Sequence, residues 1–258
     1  MRLMKRILSA AAVLALSASL LVGCSSGTAS SVPVSASSAA ESTVSSVEET
    51  ASSAVDENEA AAAQLLNDLT GSYQELWPVI LADEYKQTWL DDCTALVGED
   101  NAEAAFEKLS SMVTGDVYGE DAVKAYANGG GAYFCGFTNS LAILTFDGET
   151  STISGTDKDG NVLFSHIYHY IGMEPVHGLY EFESDDADSG EFTYFFLAPD
   201  TSAETYHIEF RYGSDAEALS QYDAGEYAYW VASGISTDCD QTMIDNCIEL
   251  FCTENLAG

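Results

Sequence analysis

Two periodicities divide the chain near Ala132: apolar residues recur every three or four positions before it, and alternate with polar ones after it. The stretch "ENEAAAAQLLNDLTGSYQELWPVILADEYKQTWLDDCTALVGED" predicts helices interrupted at Gly71 and Pro78. "NAEAAFEKLSSMVTG" predicts a further helix, capped by Asn101, with Ala105, Phe106 and Leu109 on its buried side. Beyond Ala132 the pattern predicts strands at "AYFCGFT", "LAILTF", "TSTISGT", "NVLFSHIYHYIG", "HGLYEFES", "EFTYFFLA" and "TYHIEFRYG". Turn clusters such as "DGET", "DKDGN", "GMEP" and "DDADSG" separate them. Hairpin-length links imply an antiparallel meander rolled into a barrel. "AEALSQYDAGEYAYWV" follows and is partly helical. "DQTMIDNCIELFCTEN" closes the chain as a helix whose stripe of Met243, Ile244, Cys247, Ile248 and Phe251 packs on the sheet.

Neither period describes the N-terminal quarter. "MRLMKR" is a basic start, and "ILSAAAVLALSASLLVG" is apolar but short and alanine-rich, as in a signal peptide rather than a membrane span. It ends in "LVGC", which resembles the lipobox of bacterial lipoproteins, so residues 1–23 are expected to be removed and Cys24 lipidated. Acyl chains at about 0.8 kcal/mol per buried methylene would hold it at the outer face of the membrane. The serine-, alanine- and glutamate-rich run from 24 to 58 has almost no large apolar residue to offset its ordering entropy and reads as a disordered tether. Residues 59–258 are enough for one domain with a proper core.

Charge narrows the partners. Without the signal the chain carries 42 acidic groups against 5 basic ones, a formal charge of −37. Nucleic acid and direct adhesion to an anionic bilayer are excluded on that ground, leaving the lipid as the membrane contact. Cations, or simple solubility, fit the charge. The remaining cysteines, Cys93, Cys135, Cys239, Cys247 and Cys252, contain no CxxC pair for a thiolate zinc or redox site. Outside the cell, one or two disulfides fit their number, with at least one thiol left over. No catalytic constellation emerges: "ASGIST" lacks a nucleophile elbow, and "TDKDGN" and "SDDADSGE" lack a full calcium-loop series. The chain reads as a binding protein rather than an enzyme.

Several short motifs occur in a familiar order. "LTGSYQELWPVILADEY" is similar to a "W…YP" element, "HGLYEFE" to a "G.RYLFE" strand, and "FTYFFLAP" to a strand running into "AP". "TYHIEFRYGSDAEALSQ" is similar to an "HFHI" strand with its "EALL" helix, and "GEYAYWVASGI" to "NWPTYYP". Together they make residues 65 to 255 resemble the ZinT family of extracytoplasmic zinc-binding proteins, which also occurs as the C-terminal domain of AdcA-type zinc-uptake lipoproteins. The resemblance implies a mainly β, lipocalin-like (calycin) antiparallel barrel, with N-terminal helices and a C-terminal helix. It also implies zinc held by three histidines, at tetrahedral angles that suit imidazole. Only one of these is present here, at His207; the other two positions fall on Thr205 and on Phe195 or Phe196.

Alternation puts Thr205, His207, Glu209 and Arg211 on one face of their strand and Tyr206, Ile208, Phe210 and Tyr212 on the other. His166 and His169, three apart, point to opposite faces. If "GMEP" is the turn, His166 falls near Glu181 with His177 on the same face, so His166, His177, Glu181 and His207 make one set of nitrogen and oxygen ligands. A one-residue register change replaces His166 with His169. The expectation is a tethered protein that binds a divalent ion, zinc first, as an accessory to zinc scavenging or to an uptake transporter or its binding protein. The alternative is a lipocalin-like module without metal, binding a small organic ligand or a protein through Tyr168, Tyr170, Tyr194, Phe195 and Phe196.

Overall fold

The computed structural model describes residues 57–198 and 207–257. The signal, Cys24, the tether up to residue 56, Pro199 and Thr205 lie outside them. Helix α1, over 57–68, buries Ala62, Leu65 and Leu66 and leads into strand β1, Gly71–Glu75. A short helix α2, Leu76–Ile80, precedes α3, Lys86–Val97, then α4, Glu99–Val113, and α5, Glu120–Ala127. The sheet continues with β2, Ile143–Asp147; β3, Thr152–Thr156; β4, Val162–Met173; β5, Tyr180–Ser184; and β6, Tyr194–Leu197. Strand β7, His207–Gly213, helix α6, Ala216–Leu219, strand β8, Ala232–Ser236, and helix α7, Gln241–Leu256, complete it.

Each strand pairs antiparallel with the next, and β8 returns to β1, so the eight strands close on themselves without an edge. The predicted barrel is therefore present, with two of its strands elsewhere than expected. β1 falls in the stretch predicted helical: Gly71, at φ +145°, ends the helical run, and Tyr73 then pairs with Leu144 on one side and Ser236 on the other. β8 falls in "ASGIS", whose small residues have weak strand propensity but fit a crowded interior. A Cβ at Gly234 would stand 3.1 Å from Ile208 Cγ1. Conversely, "AYFCGFT" forms no strand. Phe134 makes single bridges to Thr114 and Trp230, and its backbone bonds go to Tyr229 and Val231.

The interior is filled by the barrel's own rings. Phe164 stacks on Phe192 at 4.0 Å between centroids, while Tyr168 and Tyr212 each lie 5.4 Å from Phe195. Such packing dominates the hydrophobic contribution. Outside, helices cover one side. Trp77 and Trp89 meet Phe251 of α7 edge-on at 4.8 and 5.9 Å, and Trp89 Nε1 donates to the Ile80 carbonyl at 2.6 Å. Of the predicted stripe, Ile244, Cys247, Ile248 and Phe251 are buried, joined by Cys252, while Met243 is only partly so, and Asp240 caps α7 by accepting from the Met243 amide at 3.0 Å. Helix α4 begins at Glu99, so Asn101 is not its cap; its side chain donates instead to the Val97 carbonyl. β7 and β8 are buried on both faces, between the packed interior and the outer helices and loops.

Candidate functional site

The predicted ligands are dispersed. His166 faces the barrel interior opposite Ile153, with Nδ1 2.6 Å from Asp186 Oδ2. Glu181 lies on the outer face of β5, opposite Gly172 rather than His166, because β4 runs on to Met173 and the hairpin turns at 174–179 instead of at "GMEP"; the bulge between Tyr170 and Gly172 adds one further step. His166 is six residues from Gly172 along β4, roughly 20 Å at ordinary strand rise, and on the other face. The predicted pairing of His166 with Glu181 is thus corrected. His169 does not replace it: it faces outward opposite Glu183 and sits 2.7 Å from Asp185 Oδ1. Among the described residues no group of three or more His, Cys, Asp or Glu is arranged to hold a metal ion.

His177 belongs to a different arrangement. It is buried in the β4–β5 turn, with Nδ1 3.4 Å from Glu174 Oε2 and its ring 3.8 Å from that of Tyr222. Arg211, fully buried on the outer face of β7, lays its guanidinium 4.1 Å from the Tyr222 ring centroid. Its Nη1 donates to the Leu219 carbonyl, and its Nη2 to those of Tyr227 and Gln221. Burial works against a charged Glu174, but the His177 side chain and the amides of His177 and Val176, at 2.5 and 3.0 Å, outweigh it. Its carboxyl stays below the ordinary range. Glu181 shows the opposite balance: burial, then the Glu174 charge, raises its carboxyl. Arg211 pairs with Phe196, and Phe196 with Glu181, so the three residues share one cross-strand row on the outer face.

His207 opens β7 opposite Ile235 and is 3% exposed. Solvent does not reach it, and burial pushes its imidazole down to about 3, which favours the neutral form at physiological pH. Glu209, two residues on, shares its buried face, and the Glu209 charge helps raise the thiols of Cys135 and Cys247, which burial raises first.

The aromatic set expected to line an organic ligand is split as well. Tyr168 and Phe195 lie in the filled interior, whereas Phe196 is buried outside opposite Arg211 and Tyr194 donates outward to Glu183 at 3.0 Å.

A feature the sequence did not single out is the outer face of β4. Val162, Leu163, Ile167 and Ile171 are 69%, 36%, 52% and 40% exposed along one strand. Bulges at both ends keep Val162, Leu163 and Ile171 on that face with Ile167. Beside this row, β5 and its end present Glu181, Glu183 and Asp185 outward, with Asp185 N bonded to the Ile167 carbonyl at 2.9 Å. On the other side lie Thr152 and Ser154. Ser165 and His169 share this face between the aliphatic residues, so the arrangement is an interrupted apolar row bordered by carboxylates, with His169 2.7 Å from Asp185 Oδ1.

These features define a closed, eight-stranded, antiparallel up-and-down barrel with external helices, the lipocalin-like class. Among solved structures it is similar to the Zn(II)-bound ZinT-like domain of Streptococcus pneumoniae AdcA, at 15% identity over 71% of this chain and 89% of that one, with a TM-score of 0.46. It is also similar to Zn(II)-bound AdcA from the same organism, at 13% identity over 72% of this chain and 35% of that one, with a TM-score of 0.43. No family model matches the sequence, and no curated protein does. Both structural likenesses are distant, and the fold assignment rests on the strand pairing itself.

Proposed function

We propose that this chain is a lipid-tethered, extracytoplasmic binding module that recognises a protein segment with the outer face of β4. The observation that supports this is the exposed row of Val162, Leu163, Ile167 and Ile171 beside the carboxylates of Glu181, Glu183 and Asp185. Exposed apolar side chains gathered on one face and rimmed by polar ones mark an interaction surface. The neighbouring carboxylates select its occupant, a segment carrying basic side chains next to apolar ones. A second copy or an anionic bilayer would each meet the repulsion of a chain with a formal charge of −37 once its signal is removed. Binding of a leucine–lysine peptide, weakened when Ile167 and Ile171 become aspartate, is the test.

The tether rests on the sequence "LVGC". Cys24→Ala should move the protein from the membrane pellet to the soluble extracytoplasmic fraction. Full membrane retention of that variant would remove lipidation from the account.

A second reading keeps zinc as cargo, with His207 as the one histidine matching the family's three. What favours it is protonation: a metal needs a neutral imidazole, and burial already provides one. One variant, His207→Gln, separates the structural from the metal role. The folded value of about 3 lies below the ordinary 6.5, so between these pH values the unfolded chain takes up a proton that the native one does not. Stability should fall as pH drops from 6.5 towards 3, by about 1.4 kcal/mol per pH unit from this residue, and stay flat above 6.5. His207→Gln should remove that share of the slope in urea melts, whichever reading holds. A zinc-dependent rise in melting temperature that is present in the parent and absent in His207→Gln belongs to the metal reading alone.

A further inference from the structure

Helices α3 and α7 meet at two cysteines. Cys93 Sγ lies 3.9 Å from Cys252 Sγ, both residues are fully buried, and the two positions are 159 apart in sequence. Trp89 of α3 against Phe251 of α7 fixes the same seam. Among the described residues all five cysteines are free thiols. Joining this pair requires the sulfurs to approach from 3.9 Å to the usual bond length of about 2.05 Å, a movement within the range of side-chain rotation and a small helix adjustment.

We propose that Cys93 and Cys252 form a disulfide that staples the C-terminal helix α7 to α3. The oxidant is a disulfide, of the kind carried by glutathione disulfide or an extracytoplasmic thiol–disulfide oxidoreductase. One of the two protein thiolates attacks a donor sulfur and expels the first donor thiolate. The other then attacks the resulting mixed disulfide at the protein sulfur and expels the second. Two protein thiols lose two electrons and two protons, and the donor leaves as two thiols. Burial raises both thiols, so thiolate is scarce in the finished fold, and the exchange belongs to folding, before α7 docks. Half-buried Cys239 has no place in the bond.

A link across so long a stretch restricts the unfolded chain strongly, and the oxidised protein should melt on the order of 10 °C above the reduced one. The test uses the full chain in detergent, refolded in a glutathione redox buffer, alkylated in denaturant and digested without reduction. Mass spectrometry should find one linked pair containing Cys93 and Cys252, two hydrogens lighter than the separate peptides. Reductant should lower the melting temperature to that of Cys93→Ala/Cys252→Ala, and the oxidised–reduced comparison on the parent stands even if that variant folds poorly. Alkylation at both cysteines, or linkage of either to a different cysteine, would overturn the assignment.

Discussion

Arg211→Met should lower the unfolding free energy by about 3–5 kcal/mol, the range for removing one member of a buried charged network. The guanidinium is fully buried and donates to the carbonyls of Leu219, Gln221 and Tyr227, which fold the segment after α6 back over β7. Methionine preserves much of the volume, so the loss reports donors and charge rather than a cavity. It leaves those carbonyls buried without their donor, removes the cation from the Tyr222 ring, and takes a compensating charge away from Glu174. Arg211→Ala should cost more, because it adds a void. Urea melts of parent and variant measure both. A loss below about 1 kcal/mol would mean that water or rearrangement replaces the network, and the structural role assigned to Arg211 would fall.

The sequence shows the phase of the strands better than their surroundings. Alternation in "HIEFRYG" correctly separates Ile208, Phe210 and Tyr212 from His207, Glu209 and Arg211, but it gives no sign that helices and loops bury the second set. That cover comes from residues far along the chain, such as Tyr222 and the α7 helix. The same limit hides β1 and β8. "GSYQE" sits among helix formers and "ASGIS" is nearly all small residues, so barrel closure overrides local preference. The metal set came apart because β4 runs through "GM" to Met173 before the chain turns, which moves the hairpin register by several residues and leaves His166 beside Asp186 rather than Glu181. The row on β4 escaped notice because "VLFSHIYHYI" carries large apolar residues, interrupted by polar ones, in both phases, and nothing in such a run distinguishes the face that fills a barrel from the face left in water.

The largest functional effect should come from that row. Ile167 and Ile171 are exposed on the side opposite the packed interior, so aspartate at both positions removes apolar contact area without opening a core cavity. Most surface changes of this kind alter stability by about 0.5 kcal/mol or less. Their effect on a partner is larger, since burying each branched aliphatic side chain contributes roughly 1.5–3 kcal/mol. Leu96→Asp, on the exposed side of α3, adds the same kind of charge elsewhere and serves as the control.

Fluorescence anisotropy of a labelled amphipathic leucine–lysine peptide, titrated with the full chain in detergent, tests the central claim most directly. The parent should bind it saturably, and Ile167→Asp/Ile171→Asp should weaken binding by about tenfold or more. The direction is diagnostic, because added aspartates would tighten a basic peptide held by charge alone. Leu96→Asp should bind as the parent does or slightly more tightly. Equal or tighter binding by the double variant would contradict a docking surface on β4.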